Sequence, residues 1–282
     1  MIKFSNVTKN YGNITAVDSM SLQIPGQGIY CLLGRNGAGK TTFMKLLAGH
    51  IAASDGLITV DGKAVSTSCM PESVSFIESG ASQFNIKASA LIDMAAQLQD
   101  DFDREFAQKM IRNFDLDPKK KYKQLSFGMK TMLTTIIALA NNAGVILLDE
   151  PTLGFDAIMR DQFNSLLLES YSAYPRIIIV STHLIDEIAK VTERLIIIDK
   201  GCLLFEAGIN DVDEKAYTLS GAVKDVEPLL ESLNCIGRTT IGSVMAAHIY
   251  DGRIAPPEGV TIDRLSLQDF FIHLVGGNRN ER

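Results

Sequence analysis

Gly34-Arg35-Asn36-Gly37-Ala38-Gly39-Lys40-Thr41 is the stretch that decides the fold. It follows the apolar run Gly28-Ile29-Tyr30-Cys31-Leu32-Leu33 and precedes the helix-like Thr42-Phe43-Met44-Lys45-Leu46-Leu47-Ala48. Strand, glycine-rich loop and helix in that order make a phosphate cradle. Glycines let consecutive backbone N–H groups turn inward on phosphate oxygens, Lys40 brings a point charge to the terminal phosphates, and the Thr41 hydroxyl can ligate Mg²⁺. The N-terminal dipole of the helix acts in the same direction. Asn36, Gly37, Ala38, Gly39, Lys40, Thr41 and Thr42 are therefore expected around a nucleoside triphosphate.

The chain has 282 residues, 46% of them hydrophobic, enough for one large or two modest packed domains. Cys31, Cys69, Cys202 and Cys235 are scattered without a CxxC pair, which reads as reduced apolar fillers of a cytosolic protein rather than disulfides or zinc ligands. A net charge of −6 argues against a nucleic-acid surface, and no nucleic-acid partner is expected. The local basic run Lys119-Lys120-Lys121, Lys123 and Lys130 reads as a solvated loop. No apolar stretch approaches the ~20 residues that span a bilayer, and Met1-Ile2-Lys3-Phe4 begins a strand rather than a secretory signal. If the work of the chain is transport, another polypeptide must form the path.

Short strands fill the first ~80 residues: Ile2 to Phe4, Met20 to Ile24, Gly56 to Gly62 and Ser73 to Ile77. From Ala88 to Phe114 the apolar period becomes helical, with Leu91, Met94, Ala95 and Leu98, then Phe102, Phe106, Met110 and Phe114, expected as core stripes. Alternation of strand and helix returns afterwards. Val145 to Leu148, Arg176 to Ser181 and Leu195 to Ile198 read as buried parallel strands, with helices over Met159 to Tyr171 and Leu184 to Lys190 between them. Cys202 to Phe205 is the last strand-like piece of this run. The glycine-punctuated remainder reads as a small α/β appendage that closes with a capping-box start, Ser266-Leu267-Gln268-Asp269, to the helix Phe270 to Val275.

A second chemical motif, Val145-Ile146-Leu147-Leu148-Asp149-Glu150, ends a buried strand in adjacent acids at the carboxyl edge of the sheet. Asp149 is expected to hold Mg²⁺, because hard cations take oxygen ligands. Glu150, one residue further out, is expected to accept a proton from the attacking water or to position it.

The string Leu148-Asp149-Glu150-Pro151-Thr152-Leu153-Gly154-Phe155-Asp156, with Leu125-Ser126-Phe127-Gly128-Met129 before it and Ser181-Thr182-His183 after it, resembles the nucleotide-binding subunit of ABC transporters. The likeness covers about Met1 to Gly208. It implies an α/β fold: a P-loop NTPase core with a mixed or parallel sheet, an antiparallel β subdomain, an inserted helical subdomain at about 84–140, and a small C-terminal α/β extension. The expected domains are 1–208, binding ATP, and 209–282 as an accessory.

Position by position, the resemblance places Tyr11 where an aromatic ring stacks on adenine, with Val17 beside it. His183 matches the family's switch histidine, a contact of the γ-phosphate. Asp156 matches a loop that meets its counterpart across a dimer. Ser126 and Gly128 match donors to the nucleotide held by the opposite subunit. Two positions depart from the pattern. The family's Leu-Ser-Gly-Gly-Gln reads Leu125-Ser126-Phe127-Gly128-Met129 here, and the Phe127 ring is expected to limit how closely that nucleotide approaches. Where the family commonly has a magnesium-touching glutamine, this chain has Glu78, which supplies the same kind of oxygen.

The resemblance implies a Mg-dependent ATPase on the cytoplasmic face of the cell membrane. Two copies would pair head to tail around ATP and drive a separate integral membrane permease. Leu265 to Phe271 resembles the ending of bacterial exporter ATPases, of the ABC-2 type, so export is the expected direction. Two other readings stay open: a soluble ATPase of the same family acting on DNA or ribosomes, and an ATP-sensing module that does not hydrolyse.

Overall fold

The computed structural model describes residues 1–80, 84–99, 101–183, 185–252 and 254–277. The chain forms two compact units that part between Glu206 and Ala207. In the first, the long strands β1 (Ile2–Tyr11) and β2 (Ile14–Ile24) pair antiparallel across a Gly12-Asn13 turn. The strand β3 (Gly28–Leu33), buried along its whole length, leads through the glycine loop into α1 (Lys40–Leu47). Then come β4 (Asp55–Val60), β5 (Lys63–Ala64) and β6 (Val74–Glu78). β4 pairs with β1, giving an antiparallel sheet in the order β2-β1-β4-β5.

Three helices follow: α2 (Ala88–Leu98), α3 (Arg104–Asn113) and α4 (Phe127–Ala140), packed on one another. Asp103 caps α3 by accepting from the Phe106 N–H at 2.8 Å, and Ser126 caps α4 by accepting from Met129 at 3.2 Å. The stripe expected as core over 91–98 is only half buried. Leu91 is inside, but Met94 is 49% and Leu98 81% exposed, because α2 offers only its first turns to its neighbours. Lys119, Lys120, Lys121 and Lys123 are exposed in the loop before α4.

The chain returns through β7 (Val145–Asp149), α5 (Ala157–Ala173), β8 (Ile177–Ser181), α6 (Ile185–Ile188), β9 (Arg194–Asp199) and β10 (Cys202–Gly208). α6 is shorter than the helix expected from Leu184 to Lys190. Its last part is a 3₁₀ turn, Ala189–Val191, and Leu184 lies outside the described residues. The six-stranded sheet runs β10-β9-β3-β8-β7-β6, with β9, β3, β8, β7 and β6 parallel. Continuous burial of β3, β7 and β8 explains their unbroken apolar sequences.

A single core joins the two sheets and α1, and Phe43 of α1 stacks on Phe4 of β1 with ring centroids 4.6 Å apart. Arg176, 4% exposed, donates to the carbonyls of Leu139 at 2.7 Å and Asn141 at 2.8 Å, fastening the end of α4 to the start of β8. Burial lowers its pKa to about 10, so the cation survives at neutral pH on carbonyl dipoles. No described helix is long and apolar enough to cross a membrane.

The second unit continues with α7 (Ile209–Lys215), β11 (Ala216–Ala222), α8 (Val223–Val226), β12 (Cys235–Ile241), β13 (Val244–Tyr250), β14 (Thr261–Arg264) and α9 (Leu267–Gly277). Its antiparallel sheet runs β12-β13-β11-β14. Half of the expected capping box is formed: the Ser266 hydroxyl accepts from the Asp269 N–H at 3.0 Å, while the Asp269 carboxylate takes the Ser266 hydroxyl at 2.8 Å instead of the Ser266 backbone N–H. α9 packs on β12, and His273 stacks on His248 of β13 with ring centroids 3.5 Å apart.

Two outcomes follow from this packing. Phe43→Ala removes a fully buried ring and should cost about 3–5 kcal/mol of stability, read as a lower urea midpoint; an unchanged midpoint would show that the stack carries no weight. Burial and the neighbouring His273 lower the His248 pKa to about 4, while Asp269 pulls the other way. The neutral ring's contribution is thus complete above the ordinary value of 6.5 and is lost as pH falls toward about 4. The His248 ring should therefore titrate far below the ordinary histidine value of 6.5 by NMR, and His248→Gln should flatten the fall in stability between those pH values. Titration of His248 near its ordinary value would contradict the stacked, buried geometry.

Candidate functional site

The glycine loop leaves β3 at the carboxyl edge of the six-stranded sheet, where open α/β sheets gather ligands. Gly39 has φ +104°, and a Cβ placed on it would lie 2.4 Å from the Ala16 carbonyl, so no other residue fits. Lys40, only 7% exposed, folds its ammonium back to the loop and donates to the carbonyls of Gly34 at 2.8 Å and Arg35 at 3.4 Å. Thr41 and Thr42 stand in the first turn of α1, whose N–H groups have no partner inside the helix.

The end of β7 meets this loop. The Thr41 hydroxyl donates to Asp149 Oδ2 at 2.6 Å, and the Ser181 hydroxyl donates to Asp149 Oδ1 at 2.5 Å. Next to it Glu150 has φ +49°, a left-handed backbone that costs an L-residue roughly 1–2 kcal/mol. That turn presents the carboxylate to His183, with Oε2 2.9 Å from Nδ1, and brings Oε1 to 3.9 Å from the Lys40 ammonium. Beneath them Cys31 is completely buried, and burial, reinforced by the Glu150 charge, pushes its thiol far above the usual range. It is an inert filler.

An open cavity of about 380 Å³ lies along the loop, walled by Tyr11, Ala16, Asn36 to Thr42, Asp149 and Glu150. Tyr11 is half exposed at its rim, with the Lys9 ammonium 5.0 Å from the ring centroid. Val17, expected beside the base, is instead fully buried in the core: the alternation of β2 turns it inward and gives the wall to Ala16. Glu78 is the register partner of Asp149 across β6 and β7, but its carboxylate pairs with Lys45, one turn beyond Thr41, at 2.9 Å. The Thr41 and Asp149 oxygens, 2.6 Å apart, are the donor type that a hard cation takes.

Ser126 and Gly128 do not line this cavity. Ser126 is exposed at the start of α4, and Gly128 is buried, with space for its missing Cβ closed by the Gly154 carbonyl at 3.0 Å. The Phe127 ring packs over Gly154 and Gly80 of the same chain; a Cβ on Gly154 would come within 2.8 Å of it. Part of the ring is thus used inside the subunit, yet it remains 43% exposed. Asp156 caps α5 by accepting from Met159 at 2.8 Å. Sequence reasoning assigned no role to Ser79 and Ser181, whose hydroxyls bond to Asp149 and Glu150. Ser181 lay in plain view in Ser-Thr-His, whereas nothing local marks Ser79.

Residues 17–153 match the family described as ABC transporter. The lantibiotic transport ATP-binding protein SrtF of Streptococcus pyogenes is 30% identical over 73% of this chain and 90% of its own length. The bacitracin transport ATP-binding protein BcrA of Enterococcus faecalis is 27% identical over 98% of this chain and 97% of its own length, a span that includes the second unit. Among solved structures, a dimeric ATP-binding cassette in a post-hydrolysis state bound to ADP and Pi superposes with a TM-score of 0.65 at 22% identity, covering 74% of this chain and 99% of that one. The ATP-binding subunit of another ABC transporter gives 0.67 at 18% identity, over 76% and 92%. The chain belongs to the ABC transporter family, among its ATP-binding proteins.

Proposed function

We propose that this chain hydrolyses ATP, that two copies pair head to tail with the nucleotides between them, and that the pair drives a separate integral membrane permease from its cytoplasmic face, in the export direction. The observation that carries the reading is the Glu150 carboxylate, 2.9 Å from His183 and 3.9 Å from Lys40 at the mouth of the phosphate loop. Any triphosphate tail seated on the N–H groups of that loop brings its γ-phosphate toward this carboxylate.

In this reading Lys40 leaves the Gly34 carbonyl for the phosphates, since charge-assisted bonds to phosphate are stronger than bonds to a neutral carbonyl. Glu150 orients the attacking water and takes its proton. His183 holds Glu150 on one side and faces the γ-phosphate. Tyr11 stacks on the base from the cavity rim. A Mg²⁺ ion held by the Thr41 hydroxyl and the Asp149 carboxylate, with Glu78 as a further candidate once released from Lys45, would neutralise charge on the β- and γ-phosphates.

The exposed Ser126 at the start of α4 is the surface that would meet the second copy's nucleotide, with Asp156 beside the same interface. Export is supported by the likeness to SrtF and BcrA, two proteins named for lantibiotic and bacitracin transport, and by the Leu265 to Phe271 ending.

Glu150→Gln should keep Mg-ATP binding, lower turnover at least about 100-fold, and accumulate an ATP-dependent dimer on size exclusion. Hydrolysis at the original rate in that variant would remove the base assignment. Lys40→Ala should weaken ATP binding by about tenfold or more in a titration, through lost charge on the phosphates. Unaltered affinity would place the triphosphate elsewhere.

A further inference from the structure

The carboxylate facing His183 is carried by a left-handed backbone, and two serine hydroxyls hold that backbone from opposite ends. Toward the chain's start, the Glu150 N–H donates to the Ser181 hydroxyl at 2.9 Å and to the Ser181 carbonyl at 3.2 Å. Toward its end, the Ser79 hydroxyl lies 2.8 Å from the Glu150 carbonyl and 2.9 Å from the Asp149 carbonyl, so its one proton is shared between the two. The Ser79 N–H also donates to the Asp149 carbonyl, at 3.3 Å.

The geometry is unusual for a loop serine. Such a hydroxyl ordinarily satisfies its own turn, two to four residues away. This one instead reaches carbonyls 70 and 71 residues distant in sequence. The Glu150 carbonyl needs donors, because the left-handed turn there lifts it out of the parallel ladder, whereas the Asp149 carbonyl still takes the Ser79 N–H. The Leu153 N–H, 3.1 Å from the Glu150 carbonyl, provides one donor from within the same turn, and Ser79 provides one from across the sheet edge. Ser79 directly follows Glu78, the end of β6, and precedes Gly80 at φ +77° on the way to α2. It therefore ties the segment leaving β6 to the peptide unit that aims Glu150.

We propose that Ser79 is a positioning residue for Glu150: its hydroxyl fixes the 149 and 150 carbonyls, and so holds the Glu150 carboxylate at His183 and the mouth of the phosphate loop. Its kinetic consequence rests on the ATPase reading above, but its geometric consequence does not. Without the hydroxyl the Glu150 peptide relaxes toward an ordinary strand conformation and swings the carboxylate away from the water it directs, while the phosphate loop keeps its grip on the nucleotide.

The test uses the full chain with Ser79→Ala and Ser79→Thr, each alone and combined with Glu150→Gln, and reads both turnover and amide hydrogen exchange. Ser79→Ala should lower kcat about tenfold with KM for ATP changed by less than about twofold, and Ser79→Thr, which keeps the hydroxyl, should recover most of the loss. In the Glu150→Gln background the same change should lower residual turnover by less than about twofold, because the group it positions is gone. Exchange at the Glu150 and Leu153 amides should quicken at least about fivefold in Ser79→Ala, with the β3 amides unaffected. Unchanged exchange at 150 and 153 overturns the proposal whatever the turnover, and faster exchange with undiminished kcat overturns the positioning role. A wild-type chain that never turns over ATP, together with faster exchange in Ser79→Ala, upholds the bracket and overturns the ATPase reading instead.

Discussion

The 2.6 Å hydrogen bond from the Thr41 hydroxyl to the Asp149 carboxylate ties together two pieces of chemistry that lie 108 residues apart in sequence. Without it the glycine loop is a cradle with no acid, and the acidic strand end is a pair of charges with nothing to act upon. The strand order makes the bond possible. β8 lies between β3 and β7, so its final residue, Ser181, sits between the loop and the acids and holds the other Asp149 oxygen at 2.5 Å. Three neighbouring strand ends thus converge on one carboxylate, and their burial keeps the carboxylate where a cation and a phosphate tail can both reach it.

Rigidity on one side of the site contrasts with stored strain on the other. Gly39 is locked by the Ala16 carbonyl, so the backbone of the cradle is preorganised before any ligand arrives, while the Lys40 ammonium rests on two loop carbonyls. Glu150 is held in a conformation that an L-residue does not choose unaided, and strain of that kind persists only where the surroundings over-determine it. Ser181, Ser79, Leu153 and His183 are those surroundings. The Phe127 ring, packed over Gly80 and Gly154, touches the segments leaving β6 and β7, the same two that flank the strained turn.

The parts of this arrangement that could be read from sequence are those with a short-range chemical grammar. A glycine loop between an apolar run and a helix, and an apolar strand ending in two acids, need no knowledge of partners, and the structure places both at one sheet edge. Features that depend on what lies opposite were out of reach. Val17 and Ala16 differ by one position in an alternating strand, and only the sheet's orientation tells which faces the cavity. Glu78 reads as a free oxygen ligand until β6 is known to sit beside β7, with Lys45 one turn down α1. Met94 and Leu98 fit a helical stripe perfectly well, yet burial requires a packed neighbour, and both stay exposed toward the end of α2. In the second unit the strand order β12-β13-β11-β14 breaks chain order, which periodicity alone does not encode.

Titration calorimetry of ATP against the purified chain, with Mg²⁺ and again after chelation, addresses the central claim most directly. If the Thr41–Asp149 pair and the preorganised cradle form a single Mg-nucleotide site, binding is saturable with one nucleotide per chain and weakens markedly when Mg²⁺ is removed. Absence of saturable heat at millimolar ATP, or an isotherm indifferent to the metal, would contradict it.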